Sequence, residues 1–296
     1  MIIHHELAAE DVSTVAVIRE GARAFKGKLR GPEGRVPFDA TISARPGPSE
    51  VVTEPGTVGG IPGWWCRPPG ARPDARLLYV HGGAFVMGTA KAFTGFASEL
   101  ALRARTDTFV VDYRLAPEHP FPAGFEDVVA AYRGLDDVPV IVAGDSAGGA
   151  LSLALLAHTK GANLRGAAVF SPCTDLAGGS PSMETRAEAD PIFTRDALAS
   201  FMGHYLAGQD ARDPRASPLF ADLAGLPPVR IDVGDDEVLL DDSTRWEERA
   251  TAAGVDVALH VWKGMAHGFV ANGAMLHSAR TASDAVGQFL RGCLER

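Results

Sequence analysis

The sequence predicts an α/β fold, in which a mostly parallel central sheet carries helices on both of its faces. From about residue 76 onward, short apolar runs alternate with longer helical patterns. The stretch "VIVAGDSAGGALSLALLAHTK" (140–160) takes a run of β-branched residues directly through a glycine-rich turn into an Ala/Leu helix. At 296 residues, of which 46% are hydrophobic, the chain can bury a large core as one unit.

The individual elements follow from the apolar patterns and their lengths. Buried strands are predicted at Leu77–Val80, Phe109–Val111, Val138–Ala143, Ala167–Phe170, Val229–Val233 and Val257–Val261. Between or after them, helices are predicted at Thr94–Arg105, Gly124–Gly134, Ala147–Thr159, Asp242–Ala253 and Ser278–Leu294. Extended segments around Ser49–Thr53 and Gly63–Arg67 are predicted to form antiparallel strands at one edge.

Two regions break the alternation without interrupting a strand. The first is residues 1–45, with a predicted helix at Ala9–Phe25, and the second is about residues 175–215, with a predicted helix at Arg195–Leu206. Ligands of open α/β sheets bind beyond the carboxyl ends of the strands. We therefore predict an N-terminal cap segment (1–45) and a main α/β domain (46–296) with a cap insertion at about 175–215.

Composition excludes several classes of function. The net charge is −9, from 28 basic and 37 acidic residues, with no basic block, which disfavours binding to nucleic acid or to an anionic membrane. No apolar run approaches the ~20 residues of a membrane span, and no signal-peptide pattern is found. Cys66, Cys173 and Cys293 are widely spaced and are interpreted as buried thiols rather than a disulfide framework or metal site. A cytoplasmic protein is expected.

Ser146 lies in the sequence Gly144-Asp145-Ser146-Ala147-Gly148, between a predicted strand and a predicted helix. Serine is a good N-cap, so Ser146 could simply begin the helix. The alternative is a nucleophile elbow, which requires a strand before the turn, a helix after it, and glycines that permit the sharp turn. Because both flanking elements are predicted, the nucleophile is the favoured interpretation.

A nucleophilic serine needs a base and an acid that orients the base. His267 follows the last predicted strand in "GMAHGF", at the same sheet edge as Ser146, whereas His204, His260 and His277 lie within helical or strand patterns. For the acid, "VGDDEVLLDDS" (233–243) follows another strand at that edge. Asp241 and Asp242 are assigned to the start of the next helix, and the spacing alone leaves both Asp235 and Asp236 open.

A second glycine-rich turn follows a strand in "YVHGGAFVMG" (79–88). The backbone N–H groups of Gly82 and Gly83, together with that of Ala147, are predicted to form an oxyanion hole. A nucleotide phosphate site is excluded because neither Gly-Lys-Ser/Thr nor Gly-x-Gly-x-x-Gly occurs. His81 is assigned a structural role in supporting this loop.

Together these motifs resemble the hormone-sensitive-lipase-like carboxylesterases. The resemblance rests on "HGGAF" (81–85), "YRLAPEHPFPA" (113–123), "GDSAGG" (144–149), Asp236 and "HGF" (267–269), and it covers about residues 55–295. The stretches "SPCTDL" (171–176) and "GDDEVLLDDS" (234–243) are most similar to the bacterial acetyl-hydrolase, heroin-esterase and monoterpene ε-lactone hydrolase branch. Ala84 stands where many members carry a third glycine.

This resemblance implies an α/β-hydrolase fold with a small helical cap, a triad of Ser146, Asp236 and His267, and no cofactor or metal. It implies a serine carboxylesterase acting on small-molecule carboxylic esters of short acyl chains, with acetyl esters or lactones as further options. Five side chains are predicted to line the substrate pocket: Phe85, Ile192, Phe193, Phe201 and Met202. An amidase of the same fold and a non-catalytic small-molecule receptor are the alternatives, and the oligomeric state, including a homodimer, is left open.

Overall fold

A computed structural model describes residues 1–161 and 163–296 of the chain. Nine strands form one sheet in the order β1-β9-β8-β7-β6-β4-β5-β3-β2. Strand β3 runs antiparallel to its neighbours β2 and β5, and the remaining pairs are parallel. The strands are β1 Ile2–His5, β2 Val52–Val58, β3 Ile61–Arg67, β4 Arg72–Val80, β5 Thr106–Val111, β6 Val140–Asp145, β7 Leu164–Phe170, β8 Val229–Gly234 and β9 Val257–Trp262.

The predicted fold class and all six predicted parallel strands are confirmed, with boundaries that differ by at most five residues. The antiparallel edge is confirmed as β2 and β3. The α-helices are α1 Val12–Arg23, α2 Arg35–Ser43, α3 Ala90–Ala104, α4 Ala123–Arg133, α5 Ser146–Thr159, α6 Ser182–Thr185, α7 Arg195–Leu206, α8 Leu240–Ala252 and α9 His277–Cys293. Helix α7 has the predicted bounds, whereas α2 and the short α6 were not predicted.

The core lies on both faces of the sheet. Along β4, Leu78 and Val80 pack into the cluster beneath α4, α5 and α8, whereas Leu77 and Tyr79 pack into the cluster beneath α3 and α9. Successive side chains of a strand point to opposite faces, so a strand buried on both sides must be apolar at every position. This explains why the central strands are continuous apolar runs in the sequence.

The N-terminal segment departs from the prediction in one respect. Residues 2–5 do not cover the sheet but extend it, because β1 pairs in parallel with β9 at its edge. Four residues, "IIHH", are too short to show strand periodicity, and only their pairing with β9 makes them a strand.

The rest of the N-terminal segment contacts the 175–215 segment through several hydrogen bonds. Gly27 donates its N–H to the carbonyl of Ile192 at 3.0 Å. Arg19 donates to the Ala189 carbonyl at 2.8 Å, and the Ser200 hydroxyl donates to the carbonyl of Arg30 at 2.8 Å. Across the described residues, no helix is both long and apolar enough to cross a membrane.

Two histidines join β1 to the sheet. The His5 Nε2 and His260 Nδ1 atoms are 2.8 Å apart, and the His5 ring stacks on Trp262 with ring centroids 3.8 Å apart. The Trp262 indole N–H in turn donates to Asp232 at 2.9 Å. Burial lowers the pKa of His260 to about 4 from its ordinary 6.5, because the charged ring would lose hydration. One of the two imidazoles must be neutral to accept this hydrogen bond, and burial favours the neutral form of His260.

Because the folded state takes up this proton less readily than the unfolded chain, the contribution of His260 to stability is complete above pH 6.5 and declines as the pH falls toward 4. His260→Gln removes this proton linkage. We expect the variant to be less stable than wild type at about pH 7.5, and the difference in unfolding free energy to shrink by on the order of 1 kcal/mol at about pH 5. Urea denaturation of both proteins at the two pH values measures this change, and a pH-independent difference would contradict the assignment.

Candidate active site

Ser146 occupies a sharp turn between β6 and α5. It has a left-handed backbone, with φ of +53°. A Cβ atom on Gly148 would lie 2.0 Å from the Val80 carbonyl oxygen, and one on Gly144 would lie 2.6 Å from the Gly148 oxygen. Only glycine fits at these two positions, because α5 lies close to β4 at Gly148 and close to β6 at Gly144.

The structure does not support helix capping as the role of Ser146. The N-cap of α5 is Asp145, which makes no side-chain capping bond, and Ser146 is the first residue of the helix itself. The Asp145 carboxylate instead accepts hydrogen bonds from the Tyr79 hydroxyl at 2.6 Å and from the Gly82 N–H at 2.9 Å. Helix capping therefore does not explain the left-handed backbone at Ser146.

His267 lies in the loop that follows β9, as predicted, and its partner is Glu237. The His267 Nδ1 atom is 2.8 Å from Glu237 Oε2. Glu237 is fully buried, and its other oxygen accepts from the Gly234 N–H at 2.7 Å and from the Ser171 hydroxyl at 2.8 Å. Both carboxylate oxygens are therefore fixed, and the imidazole is held in one orientation.

The prediction that Asp236 orients His267 is wrong by one residue. Asp236 forms an ion pair with Arg19 of α1, and Asp235 accepts the Gly264 N–H at 2.6 Å. The chain leaves β8 in a turn, so strand alternation no longer decides which side chain faces inward. The overlooked signal was Glu237 itself, a carboxylate immediately before the apolar pair Val238-Leu239, where the chain is returning to the core.

Asp241 and Asp242 lie in the first turn of α8, as expected. Asp242 also binds the loop that follows β7. Its buried carboxylate accepts the N–H groups of Thr174 at 2.6 Å and Asp175 at 2.9 Å. Burial raises the pKa of Asp242 to about 7. This residue anchors the loop after β7, which begins with the Ser171 that contacts Glu237.

Burial lowers the pKa of His267, but the hydrogen bond and charge of Glu237, together with the Asp190 and Asp145 carboxylates, outweigh burial and raise it overall. A base that is more readily protonated is better suited to accept the proton of a hydroxyl. The site thus has the electrostatics of a general base, with three carboxylates acting on one imidazole.

The predicted oxyanion hole needs one change. The Gly82 N–H is occupied by Asp145, so it is not free to receive a substrate oxygen. Within the described residues, the N–H groups of Gly83 and Ala84 donate to no protein acceptor. Ala147 lies in the first turn of α5, where backbone N–H groups lack helical partners. Ala84 and Ala147 line the pocket beside Ser146, so their N–H groups and that of the adjacent Gly83 are the candidate donors to a substrate oxygen.

His81 supports the predicted oxyanion loop (79–88), as expected, together with the segment at 113–123. The buried His81 ring stacks on Tyr113 with centroids 4.4 Å apart, and the Tyr113 hydroxyl donates to the His81 carbonyl at 2.9 Å. Ala116 donates its N–H to the Phe85 carbonyl at 3.0 Å. The "YRLAPEHPFPA" segment therefore fixes the glycine turn.

A small apolar pocket lies beside Ser146. Its wall includes four of the five predicted substrate-binding residues, Phe85, Phe193, Phe201 and Met202, and also Ala84, Ala147, Cys173, Leu198 and Leu239. Ile192 does not line it; its carbonyl accepts the Gly27 N–H instead. The free volume is about 20 Å³, little more than one water molecule needs, so a substrate must displace some of these side chains.

Phe193 connects the pocket with the histidine. Its ring packs edge-on against His267, with centroids 4.9 Å apart, and the same side chain lines the pocket with Ser146. The predicted base therefore lies next to the pocket that the predicted nucleophile lines, with Phe193 in contact with both the pocket and the imidazole, at the carboxyl ends of β6 and β9. Over the part of the chain that the structure describes, no group of three His, Cys, Asp or Glu residues is placed to hold a metal ion.

Comparison with known proteins identifies the family. Residues 77–271 match a protein family described as having the alpha/beta hydrolase fold. The chain belongs to this family. Our α/β-hydrolase is 40% identical over 253 residues to an acetyl-hydrolase of Streptomyces hygroscopicus, covering 82% of this chain and 83% of that one.

Two further relatives narrow the family. The α/β-hydrolase is 37% identical over 241 residues to a carboxylesterase of Mycobacterium tuberculosis, covering 75% of this chain and 74% of the relative. It superimposes with a TM-score of 0.89, at 36% identity, on the crystal structure of an esterase from the bacterial hormone-sensitive lipase family, covering 97% and 99% of the two chains. The predicted membership of the hormone-sensitive-lipase-like branch is confirmed.

The elbow geometry predicts a large difference between two glycine substitutions in helices of this α/β-hydrolase. Gly148→Ala should destabilise the fold by at least about 2 kcal/mol, because its Cβ would meet the Val80 carbonyl oxygen. Gly203→Ala, in α7, meets no atom within 4 Å and should stabilise by about 1 kcal/mol through helix propensity. Thermal and urea denaturation compare the two, and equal stabilities would contradict the close approach of β4 and α5.

Proposed function

We propose that this α/β-hydrolase is a serine carboxylesterase that hydrolyses carboxylic esters through Ser146, His267 and Glu237. The observation that carries the proposal is the hydrogen bond between His267 and the fully buried Glu237, 2.8 Å long, next to the pocket that Ser146 lines. The similarity to an acetyl-hydrolase and to carboxylesterases supports ester hydrolysis as the reaction class. A receptor of this fold would not need the His267–Glu237 pair.

The mechanism follows from the roles of the three side chains. His267 removes the proton of Ser146 as the hydroxyl attacks the ester carbonyl, and Glu237 holds the imidazole tautomer and stabilises the imidazolium that forms. His267 then donates this proton to the departing alcohol, leaving an acyl-enzyme. Water repeats the two steps on the acyl-enzyme and releases the carboxylic acid. Asp145 is not a reacting group, because its carboxylate is committed to Tyr79 and Gly82.

The tetrahedral intermediate carries negative charge on the former carbonyl oxygen. In the proposed oxyanion hole, the N–H groups of Gly83, Ala84 and Ala147 donate to that oxygen. Ala84 has φ of +54°, a left-handed backbone that glycine adopts more readily, which is consistent with a third glycine at this position in many members of the family. The Ala84 methyl group narrows the pocket, but the Ala84 N–H is still available as a donor.

The substrate pocket is the basis of the proposed specificity for small esters with short acyl chains, including acetyl esters and lactones. The pocket wall is almost entirely apolar, and the side chains of that wall nearly fill the pocket. Residues 12–45 and about 175–215, which contact each other, are proposed to form the cap over it. A cytoplasmic location stays a prediction, and the oligomeric state stays open.

The direct test of this function is Ser146→Ala. The variant should remain folded and lose ester turnover by several orders of magnitude, because the only nucleophile of the mechanism is absent. A fluorophosphonate probe should label the wild-type protein at Ser146 and fail to label the variant. A folded Ser146→Ala protein with near wild-type activity would overturn the proposal.

The identity of the acid is tested by two neighbouring amide substitutions. Glu237→Gln keeps the shape but permits the wrong tautomer of His267, which in a serine protease costs on the order of 10⁴ in kcat. Asp236→Asn weakens a half-buried ion pair with Arg19 beside the Glu237 segment but removes no group of the proposed triad, so it should stay within about tenfold of wild type. Steady-state kinetics on one chromogenic ester decide this, and the reverse ranking would restore Asp236 as the triad acid.

The proposed acyl preference is tested with a series of chromogenic esters. The wild-type enzyme should hydrolyse acyl chains of about C2 to C6 faster than C16, because the pocket beside Ser146 is small. Met202→Ala, which removes a side chain from the pocket wall, should shift the preference toward longer chains. Faster turnover of a soluble C16 ester than of C4 by the wild-type enzyme would contradict the proposed specificity.

A further inference from the structure

Asp190 is a buried carboxylate that the mechanism above does not use. It has no exposed surface, and within the described parts of the chain no lysine or arginine forms an ion pair with it. Its charge is satisfied by backbone groups alone. Oδ1 accepts the N–H groups of Ile192 at 2.7 Å and Phe193 at 2.9 Å, and Oδ2 accepts the N–H of Val238 at 2.9 Å.

The three donors belong to two segments that the triad needs. Phe193 packs against the His267 ring. The hydrogen bond from the Phe193 N–H to Asp190 therefore fixes the position of a residue that contacts the proposed base. Val238 directly follows Glu237 in the chain, so its N–H bond fixes the segment that carries the acid. A single carboxylate thus ties the 190–193 segment to the segment that presents Glu237.

Further hydrogen bonds fix the segment that carries Glu237. The Ser182 hydroxyl, in α6, donates to the Val238 carbonyl at 2.6 Å and accepts the N–H of Asp241 at 2.9 Å. On the other side of Glu237, Asp236 pairs with Arg19, whose guanidinium also donates to the Ala189 carbonyl. The residues before and after Glu237 are therefore both bound to the proposed cap segments.

We propose that Asp190 is a positioning residue of the triad, which holds Glu237 and Phe193 against His267 and so makes the proposed cap part of the catalytic geometry. This inference rests on the proposed serine-esterase function and adds a residue to it. Its consequence is that ester turnover depends on the contact between the cap and the Glu237 segment, and not only on access to the pocket.

The charge of Asp190 should also act on His267. The carboxylates that influence the imidazole come from three elements: Glu237 after β8, Asp190 in the proposed cap and Asp145 at the elbow. All three favour the imidazolium, which is the form that accompanies the tetrahedral intermediate. Removing one negative charge from this buried site should therefore make His267 harder to protonate.

The primary variant is Asp190→Asn. An amide has one acceptor oxygen, so its NH₂ group must face an N–H donor and at least one of the three bonds is lost. The matched control is Asp11→Asn. Asp11 is also buried and accepts two backbone N–H groups, those of His277 and Ser278 at 2.7 and 2.8 Å, but it is not among the groups that act on His267.

Three measurements are made on wild type and both variants: urea denaturation, kcat/KM for one chromogenic ester against pH, and NMR titration of ¹³C-labelled histidine with the His267 signal assigned through His267→Gln. Both variants should lose stability. Asp190→Asn alone should lose roughly 10- to 100-fold in kcat/KM, as expected for a displaced catalytic group. In Asp190→Asn alone, the acidic limb of the pH profile and the His267 titration should move to lower pH.

Ser182→Ala separates position from charge. It removes a bond to the Val238 carbonyl but no charge, so it should lower kcat and leave the titration of His267 unchanged. Should Asp190→Asn fail to fold, Asp190→Glu serves in its place: it keeps the charge and displaces it by one methylene, so a lower kcat with a largely retained His267 titration is expected.

The inference is overturned if folded Asp190→Asn matches Asp11→Asn in kcat/KM and leaves the acidic limb and the His267 titration where they are in wild type. It is equally overturned if Asp190→Glu, used as the replacement, keeps wild-type kcat. Failure of the proposed function looks different, because the wild-type protein itself would then neither hydrolyse the ester nor react with a fluorophosphonate at Ser146.

Discussion

The hydrogen bond between Glu237 and His267 is the interaction on which the rest of the site depends. A histidine in a loop can adopt many orientations, and only a fixed partner on Nδ1 leaves Nε2 available in a defined direction. Glu237 supplies this partner from a fully buried position, with its second oxygen held by Gly234 and Ser171. The fixed carboxylate holds the imidazole of this loop residue in one tautomer, and its hydrogen bond and charge raise the pKa of His267 against the opposing effect of burial.

The fold provides the conditions for this hydrogen bond. Parallel strands β6, β7, β8 and β9 end at one edge of the sheet, and they deliver in turn Ser146, Ser171, Glu237 and His267. The proposed cap segments contact the residues on either side of Glu237, since Ser182 and Asp190 bind Val238 and Arg19 binds Asp236. A buried carboxylate without these neighbours would be poorly solvated and would tend to take up a proton instead of serving His267.

The sequence predicted those parts of the site whose positions depend on a glycine-rich turn or on the end of a strand. The elbow at Ser146 and the loop position of His267 follow from patterns that permit few other structures. The choice among Asp235, Asp236 and Glu237 was different, because it depends on how three consecutive residues leave β8 in a turn. The commitment of the Gly82 N–H to Asp145 likewise depends on a buried carboxylate 63 positions away in the chain, which local sequence patterns do not report. Strand β1 was missed for the same reason, since only its contact with β9 defines it.

The most direct test of this account is a crystal structure of the enzyme with a phosphonate bonded covalently to Ser146. The phosphonyl oxygen stands for the oxyanion of the tetrahedral intermediate. The account predicts that this oxygen lies about 2.7–3.1 Å from the N–H groups of Gly83, Ala84 and Ala147, with Glu237 on His267 Nδ1 and Gly82 still bound to Asp145. An oxygen held by the Gly82 N–H, or a His267 ring turned toward Asp236, would contradict it.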